Sequence, residues 1–377
     1  MVLMNPQELA RGFNPFFVGA KAQRIFGLCS PRPEGRGYTI HTFNTRVPVM
    51  ILAGDIGGTK TNLAYITLHA GKFKPEYVKS YSSKQHASFN DIVKQFLVEC
   101  SPKIDLAAFD VAGPVVNGRC EVTNLPWVVN AREVAAALGL KTAGLINDLE
   151  ATAYGTLRLE DKDKLMLNVG APRQQGAIAV IAAGTGLGEG GLVWNPARRN
   201  YQTVPSEGGH TDFAPRSELE MDLLRFLLTK YKRVSYERVV SGPGLFNLYQ
   251  FFRMQANYPE PKWLADEIAS GDPSAVVSKA AMDGKDDACT KSLEMFVSLY
   301  GAEAGNLALK LLSTAGVYIG GGIAPKILPK LQQATFMDSF TNKGRFSNLM
   351  KNMPVYVVLN DKTALYGAAH YALMMNE

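Results

Sequence analysis

The sequence predicts an α/β protein built as two lobes, with mixed sheets flanked by helices and a cleft between the lobes. Three observations carry that expectation. Two strand–turn–strand units recur, one in each half of the chain. Apolar runs of strand length alternate with segments whose apolar residues fall at helical spacing. At 377 residues the chain is long enough for two substantial cores.

The first unit is the run Val49-Met50-Ile51-Leu52-Ala53, the turn Gly54-Asp55-Ile56-Gly57-Gly58-Thr59, and a strand from Leu63 to Ile66. The second is Ala177 to Ile181, the turn Gly184-Thr185-Gly186-Leu187-Gly188, and a strand from Gly191 to Trp194. Turns with so little side chain bring backbone N–H groups close to a ligand, and the threonines add hydroxyl donors. Either unit alone also describes an ordinary hairpin. The spacing Gly186-x-Gly188-x-x-Gly191 imitates a dinucleotide fingerprint, but that fingerprint opens a helix and here a strand follows. Two such turns in one chain point to two lobes gripping one polyphosphate. Asp55 sharpens this: a carboxylate at a phosphate cradle repels phosphate unless a cation lies between, which points to a Mg²⁺-nucleotide.

Taken in order, residues 49–82 read as a three-stranded meander. Phe89, Ile92, Val93, Phe96 and Leu97 set a helix over 88–100, and Leu106 to Val111 a buried strand ending at Ala112-Gly113-Pro114. Asn117-Gly118 is a hairpin turn between two short strands. Asn124-Leu125-Pro126-Trp127 is a loop, in which Asn124 on its own is equally an Asx-turn residue. Asn130 with Glu133 reads as a capping box for a helix ending at Leu138-Gly139. Ala143 to Ile146 is a strand, and Asn147-Asp148 stands where it becomes the helix Leu149 to Leu157. The carboxyl ends of parallel strands are where such sheets hold ligands, although Asp148 is also a fair helix cap.

Residues 158–176 are charged and loop-like, a junction between lobes. In Glu207-Gly208-Gly209-His210, a carboxylate and an imidazole can converge on one polar object. As metal ligands they lack a third partner, Asp212 being the only neighbour available. Leu219, Leu223, Phe226 and Leu227 form the apolar face of a helix from Ser217 to Lys230. Glu237 begins another, broken by Ser241-Gly242-Pro243-Gly244, which caps Leu245 to Met254. Short helical pieces over 260–285 precede a long helix from Lys291 to Leu312. The strand Gly316 to Ile319 feeds Gly320-Gly321-Gly322, which is either a tight turn or room for a flat ring against backbone. Val355 to Leu359 is the last strand, and Thr363 to Met374 a closing helix that returns to the first lobe. The expected layout is an extension over 1–48, a small α/β domain over 49–157 plus 359–377, and a large α/β domain over 158–358.

Five further motifs stand in fixed order: Thr123-Asn124-Leu125-Pro126-Trp127, Ile146-Asn147-Asp148-Leu149-Glu150-Ala151, Glu207 to Phe213, Glu237 to Leu245, and Gly320-Gly321-Gly322-Ile323-Ala324-Pro325. With the two turns they resemble the sugar-kinase/actin/Hsp70 superfamily and, more narrowly, the bacterial-type (group A) glucokinases, from about Val49 to near the C-terminus. The resemblance implies a ribonuclease H-like (actin-like ATPase) fold and ATP-dependent phosphorylation of D-glucose to glucose 6-phosphate. It implies that Asn124, Asn147, Asp148, Glu207, His210 and Glu237 bind the sugar, with Asp148 also the general base. Gly54, Asp55, Ile56, Gly57, Gly58 and Thr59, then Gly184, Thr185 and Gly186, then Gly320, Gly321 and Gly322 are expected at ATP, with Asp55 holding Mg²⁺ through water. A homodimer is implied through the larger lobe. No structural zinc is expected, because no Cys-rich loop follows His210.

Composition narrows the alternatives. The charge of +6 is uneven: Arg11, Lys21, Arg24, Arg32, Arg36 and Arg46 against Glu8 and Glu34 give residues 1–48 +4, leaving +2 for the rest. That is no nucleic-acid balance, and no apolar run approaches a membrane span. Cys29, Cys100, Cys120 and Cys289 show neither metal nor redox spacing, so free thiols in a cytoplasmic setting are expected. The Arg-rich, acid-poor start is a weak transit-peptide signature, against which stands a segment packing through Phe13, Phe16, Phe17 and Phe26. Competing readings are a kinase of another hexose or amino sugar, a sugar-sensing regulator, which needs a helix-turn-helix that residues 1–48 do not pattern, and an actin-like structural protein.

Overall fold

The computed structural model describes residues 47–100, 103–255 and 259–376, all within one unit that runs from residue 40 to the C-terminus. The expectations for the N-terminal extension and its targeting signal lie outside these residues, as do Cys29 and Glu377.

Two sheets repeat one plan. In the first, β1 (Val49–Ile56), β2 (Lys60–His69) and β3 (Lys72–Ser82) form the antiparallel meander, and β4 (Leu106–Val111) and β7 (Gly144–Asn147) extend it in parallel, in the order β3-β2-β1-β4-β7. A small hairpin of β5 (Arg119–Glu121) and β6 (Val128–Asn130) stands between them in sequence. In the second sheet, β9 (Ile178–Ala183), β10 (Leu187–Asn195) and β11 (Asn200–Val204) are the meander, and β12 (Gly316–Gly320) and β13 (Val355–Val358) the parallel extension. β8 (Lys164–Asn168) closes that sheet as an antiparallel edge.

Two helices connect the sheets. Thr363–Met374 lays Leu365, Ala368, Ala369 and Ala372 on Ile51, Ala53, Ile66 and Ala108 of the first sheet. Asp148–Thr156 joins Ile146 to Ile178, Val180 and Leu192 of the second through Ala151, Ala153 and Tyr154. The helices cross at glycines: a side chain on Gly367 would strike the Ala151 carbonyl at 1.6 Å, and one on Gly155 the Thr363 carbonyl at 2.0 Å. The long helix Asp287–Leu311 fills the largest core, behind β9 and β12.

Several expectations are corrected. Residues 164–168 are a strand, not loop; its ends, Lys164 and Asn168, are polar, as an edge strand allows. Asn117 and Gly118, both at positive φ, form a turn closed by an antiparallel bridge of Val116 with Arg119; the pairing before the turn ends there, and the ladder of β5 is made with β6. Glu237 lies in a single 3-10 turn, Tyr236–Arg238, and the next helix already begins at Gly242, with the Ser241 hydroxyl accepting from the Gly244 N–H at 3.0 Å. Leu219 faces solvent; Glu220 takes the buried position and binds Arg216 at 2.7 Å. The cap of helix 148–156 is Asn147, with Glu150 completing a capping box, while Asp148 is its first residue.

Candidate functional site

The first glycine turn is fastened from behind. The Gly57 N–H donates to the Lys60 carbonyl at 3.0 Å, and Ser83 donates twice, from its hydroxyl to the Gly57 carbonyl at 2.7 Å and from its N–H to the Thr59 carbonyl at 3.0 Å. Gly54 lies in the core, where a side chain would strike Leu63 and Phe109, and Ile56 is fully buried, so these two can offer only backbone. Thr59 is exposed. A Cβ on Gly58 would come within 3.3 Å of the Thr123 carbonyl and 3.6 Å of Asn124 Cβ, which sets Asn124, exposed and at φ +63°, beside the turn.

Asp55 stands in register with Asp110 on β4, a residue the sequence reading took only as part of a buried strand. Asp110 is fully buried, and none of the described donors reaches either oxygen. Burial, then the charges of Asp55 and Asp148, push its carboxyl well above the usual range. A proton kept there is donated to Asp55, whose other support is Asn62 Nδ2 at 3.1 Å; burial still raises Asp55. Asp148 is exposed, yet the protein around it raises its carboxyl too, against the Leu149 N–H at 2.9 Å and with the Asp55 charge adding. Three acids within electrostatic reach leave an excess of negative charge beside the turn. Among the described residues no group of three or more His, Cys, Asp or Glu could cage a metal. One or two carboxylates in company with phosphate oxygens and water are what Mg²⁺ ordinarily takes, so the residues present fit that ion.

The neighbouring Asn147 is largely committed. Its Oδ1 accepts from the Leu149 N–H at 2.9 Å, and its Nδ2 donates to the Gly113 carbonyl at 3.2 Å. Its direct claim on a ligand is the remaining amide N–H. A cavity of about 530 Å³ has Asn147 and Glu150 on one wall and Thr203, Ser206 and Glu207 on another.

The second turn meets the remaining candidates. The Gly184 N–H donates to the Gly186 carbonyl at 2.9 Å, and the Gly242 N–H to the Gly184 carbonyl at 2.8 Å. Glu237 lies against this turn: its Oε2 accepts from the Leu187 N–H at 3.0 Å, and a Cβ on Gly186 would come within 2.6 Å of that oxygen. Its Oε1 is 4.0 Å from Nδ1 of His210, an exposed residue whose own carbonyl accepts from Arg233 at 2.7 Å. Glu207, exposed, accepts the His210 N–H on its carbonyl at 3.0 Å, one turn away. Leu149 of the Asp148 helix meets the same hairpin from the other side, 3.0 Å from where a Gly188 Cβ would stand.

Of the three later glycines, Gly320 ends β12 and Gly321 makes the turn at φ +82°, while Gly322 lines a cavity of about 740 Å³ with Gly184 and Thr185. That cavity also takes Asp272, Ser274, Lys279 and Lys326, none of them marked by sequence. The first three arrive from helix Pro273–Met282 and its cap, which packs on helix Gly242–Gln255, and Lys326 from the 3-10 turn Ala324–Ile327 after the glycines. Among the described residues no helix is long and apolar enough to cross a membrane.

The chain has known relatives. The family model described as Glucokinase matches residues 52–375. The glucokinase of Nostoc punctiforme is 43% identical over 335 residues, covering 85% of this chain and 98% of its own; that of Photorhabdus laumondii is 35% identical over 320 residues, covering 85% and 96%. Among solved structures, a glucokinase from an Antarctic psychrotroph shares 30% identity with a TM-score of 0.77, covering 86% of this chain and 99% of that one. A glucokinase from Balamuthia mandrillaris, solved in complex with glucose, shares the fold at 22% identity and a TM-score of 0.70, covering 88% and 96%. A match over nearly all the described residues, with the glycine turns and the acids beside them inside it, shows that this chain belongs to the glucokinase family of sugar kinases.

Proposed function

We propose that the protein transfers the terminal phosphoryl group of ATP to the 6-hydroxyl of D-glucose. The observation that supports this most is the contact of Glu237 with Gly186, which puts a carboxylate suited to sugar hydroxyls against a turn suited to phosphate. Phosphoryl transfer needs positioning and charge neutralisation more than covalent chemistry. The turns 54–59 and 184–186 hold the phosphates through N–H and hydroxyl donors, and the 740 Å³ cavity by Gly322 takes the base and ribose. Asp55 would hold Mg²⁺, which when bound would neutralise phosphate charge.

Asp148 takes the proton of the attacking hydroxyl, a role worth roughly 10²–10⁴ in rate. Its raised carboxyl keeps it basic enough for that task at neutral pH. Asn124, Glu207, His210 and Glu237, together with Asn147, match adjacent hydroxyls, and a sugar that lacks or inverts one leaves them unpaired. The family likeness supports the further reading of a cytoplasmic homodimer serving glycolysis.

Sugar-dependent ADP release over a panel of glucose, mannose, fructose and glucosamine tests the reading. The expected result is the highest kcat/KM for glucose; ADP release that no sugar stimulates overturns it.

A further inference from the structure

Beneath the 207–210 loop lie two acids that the reaction does not use. Glu189 on β10 is 1% exposed, and Glu303 on helix Asp287–Leu311 is fully buried. None of the described donors reaches either oxygen of Glu189; what faces it is the carboxyl of Glu303. Two carboxylates in contact away from water do not both ionise, and a proton kept by one makes the hydrogen bond that two charges forbid. Glu303 is the member supported as an anion, since Asn306 Nδ2 donates to it at 2.8 Å and Lys310 Nζ stands at 3.4 Å. The proton therefore belongs on Glu189.

The pair touches both segments that carry sugar candidates. A Cβ on Gly208 would come within 2.3 Å of Glu189 Oε2, and one on Gly209 within 2.0 Å of the Leu187 carbonyl, so the loop lies flat on β10 and on that carboxyl. At the other end, Asn306 Nδ2 also donates to the Tyr236 hydroxyl at 3.2 Å, next to Glu237. We propose that Glu189 and Glu303 share one proton, and that the neutral Glu189 is a positioning residue holding loop 207–210 and the Glu237 turn in their sugar-binding geometry. This rests on the reading that Glu207, His210 and Glu237 bind the sugar.

Burial first, and then the Glu303 charge, push the Glu189 carboxyl up to about 8. The other ionisable groups around the pair are Lys310 and Tyr300 from the long helix, Tyr236 from its 3-10 turn, Arg216 ahead of helix Glu218–Leu228, and Lys343 after helix Ala334–Thr341. Lys343 is itself pushed down to about 8 by burial, so it needs its own control. A carboxyl raised in the folded state contributes stability that is complete below the unfolded value of about 4.3 and is lost as pH rises from there to about 8.

The test measures melting temperature and glucose KM from pH 6.5 to 9.5 for the full chain and for Glu189→Gln, Glu303→Gln and Lys343→Arg. In the wild type, melting temperature falls as pH rises to about 8 and levels off above it, while glucose KM rises above pH 8; one pH unit of coupling between sugar and proton gives about tenfold in KM. Glu189→Gln carries the neutral shape at every pH, so both curves flatten. Glu303→Gln removes the opposing charge and moves the transition to lower pH. Lys343→Arg, whose guanidinium stays charged, keeps the wild-type fall of melting temperature below pH 8 and the rise of KM above it. A Glu189→Gln melting curve as steep as the wild type, or curves flattened by Lys343→Arg alone, overturns the acid pair. A flattened melting curve with an unchanged KM curve overturns the positioning role. A wild type that phosphorylates no glucose refutes the functional reading instead, and the melting curves then decide the pair.

Discussion

Replacing Glu237 by glutamine isolates the charge of the carboxylate that joins the two halves of the site. The shape is kept, and the amide oxygen can still accept the Leu187 N–H now made to Oε2 at 3.0 Å. The loss falls on the other oxygen, which faces His210 Nδ1 across 4.0 Å and is the one open to a sugar hydroxyl. There a charge-assisted hydrogen bond becomes an amide N–H facing an imidazole. Such a bond contributes about 1.5–3 kcal/mol, which corresponds to roughly 10- to 150-fold in glucose KM. Initial rates against glucose at saturating ATP, and against ATP at saturating glucose, read the two KM values separately. The expected outcome is a glucose KM raised within that range and an ATP KM that moves far less. A glucose KM within about twofold of wild type refutes the assignment of Glu237 to the sugar.

Gly186→Ala sets a methyl group 2.6 Å from Glu237 Oε2, so the turn and the carboxylate must part; kcat/KM should fall on the order of 10- to 100-fold, with both KM values rising, in the same rate assay. Asp286→Asn keeps the cap on Cys289 N–H at 2.9 Å but ends the nearly buried ion pair with Arg253, and thermal melting should show a loss of about 3–5 kcal/mol near pH 7. Burial raises the Asp286 carboxyl, but the Cys289 N–H and the Arg253 guanidinium outweigh it and hold the group below its usual range. Its contribution is therefore present above the unfolded value near 3.9 and vanishes as pH falls through the folded one, so the gap between variant and wild type should close in acid.

The parts of the fold legible in the sequence are those with a local cause. Both glycine turns, the meander over 49–82 and the helix Thr363–Met374 follow from apolar period and turn residues, and all are found. β8 escaped because Lys164 and Asn168 break its apolar pattern, as an edge permits. The cap at Asn147 was legible in principle, since Asn147-x-x-Glu150 has capping-box spacing, but the neighbouring Asp148 drew the assignment. Asp110 and Glu189 look like chance acids within apolar strands. Only the register with Asp55 in one case, and the approach of Glu303 from a distant helix in the other, gives them a meaning. Asp272, Ser274, Lys279 and Lys326 carry no local signal, because the cavity they line is made by helix packing.

The proton acceptor is settled by Asp148→Asn, with kcat measured beside the glucose dissociation constant from intrinsic tryptophan fluorescence. Loss of a general base lowers kcat by roughly 10²–10⁴, while the amide, still able to meet a hydroxyl, leaves glucose binding largely intact. A variant that keeps more than about a tenth of wild-type kcat, less than the smallest loss expected for a missing base, contradicts the assignment of Asp148.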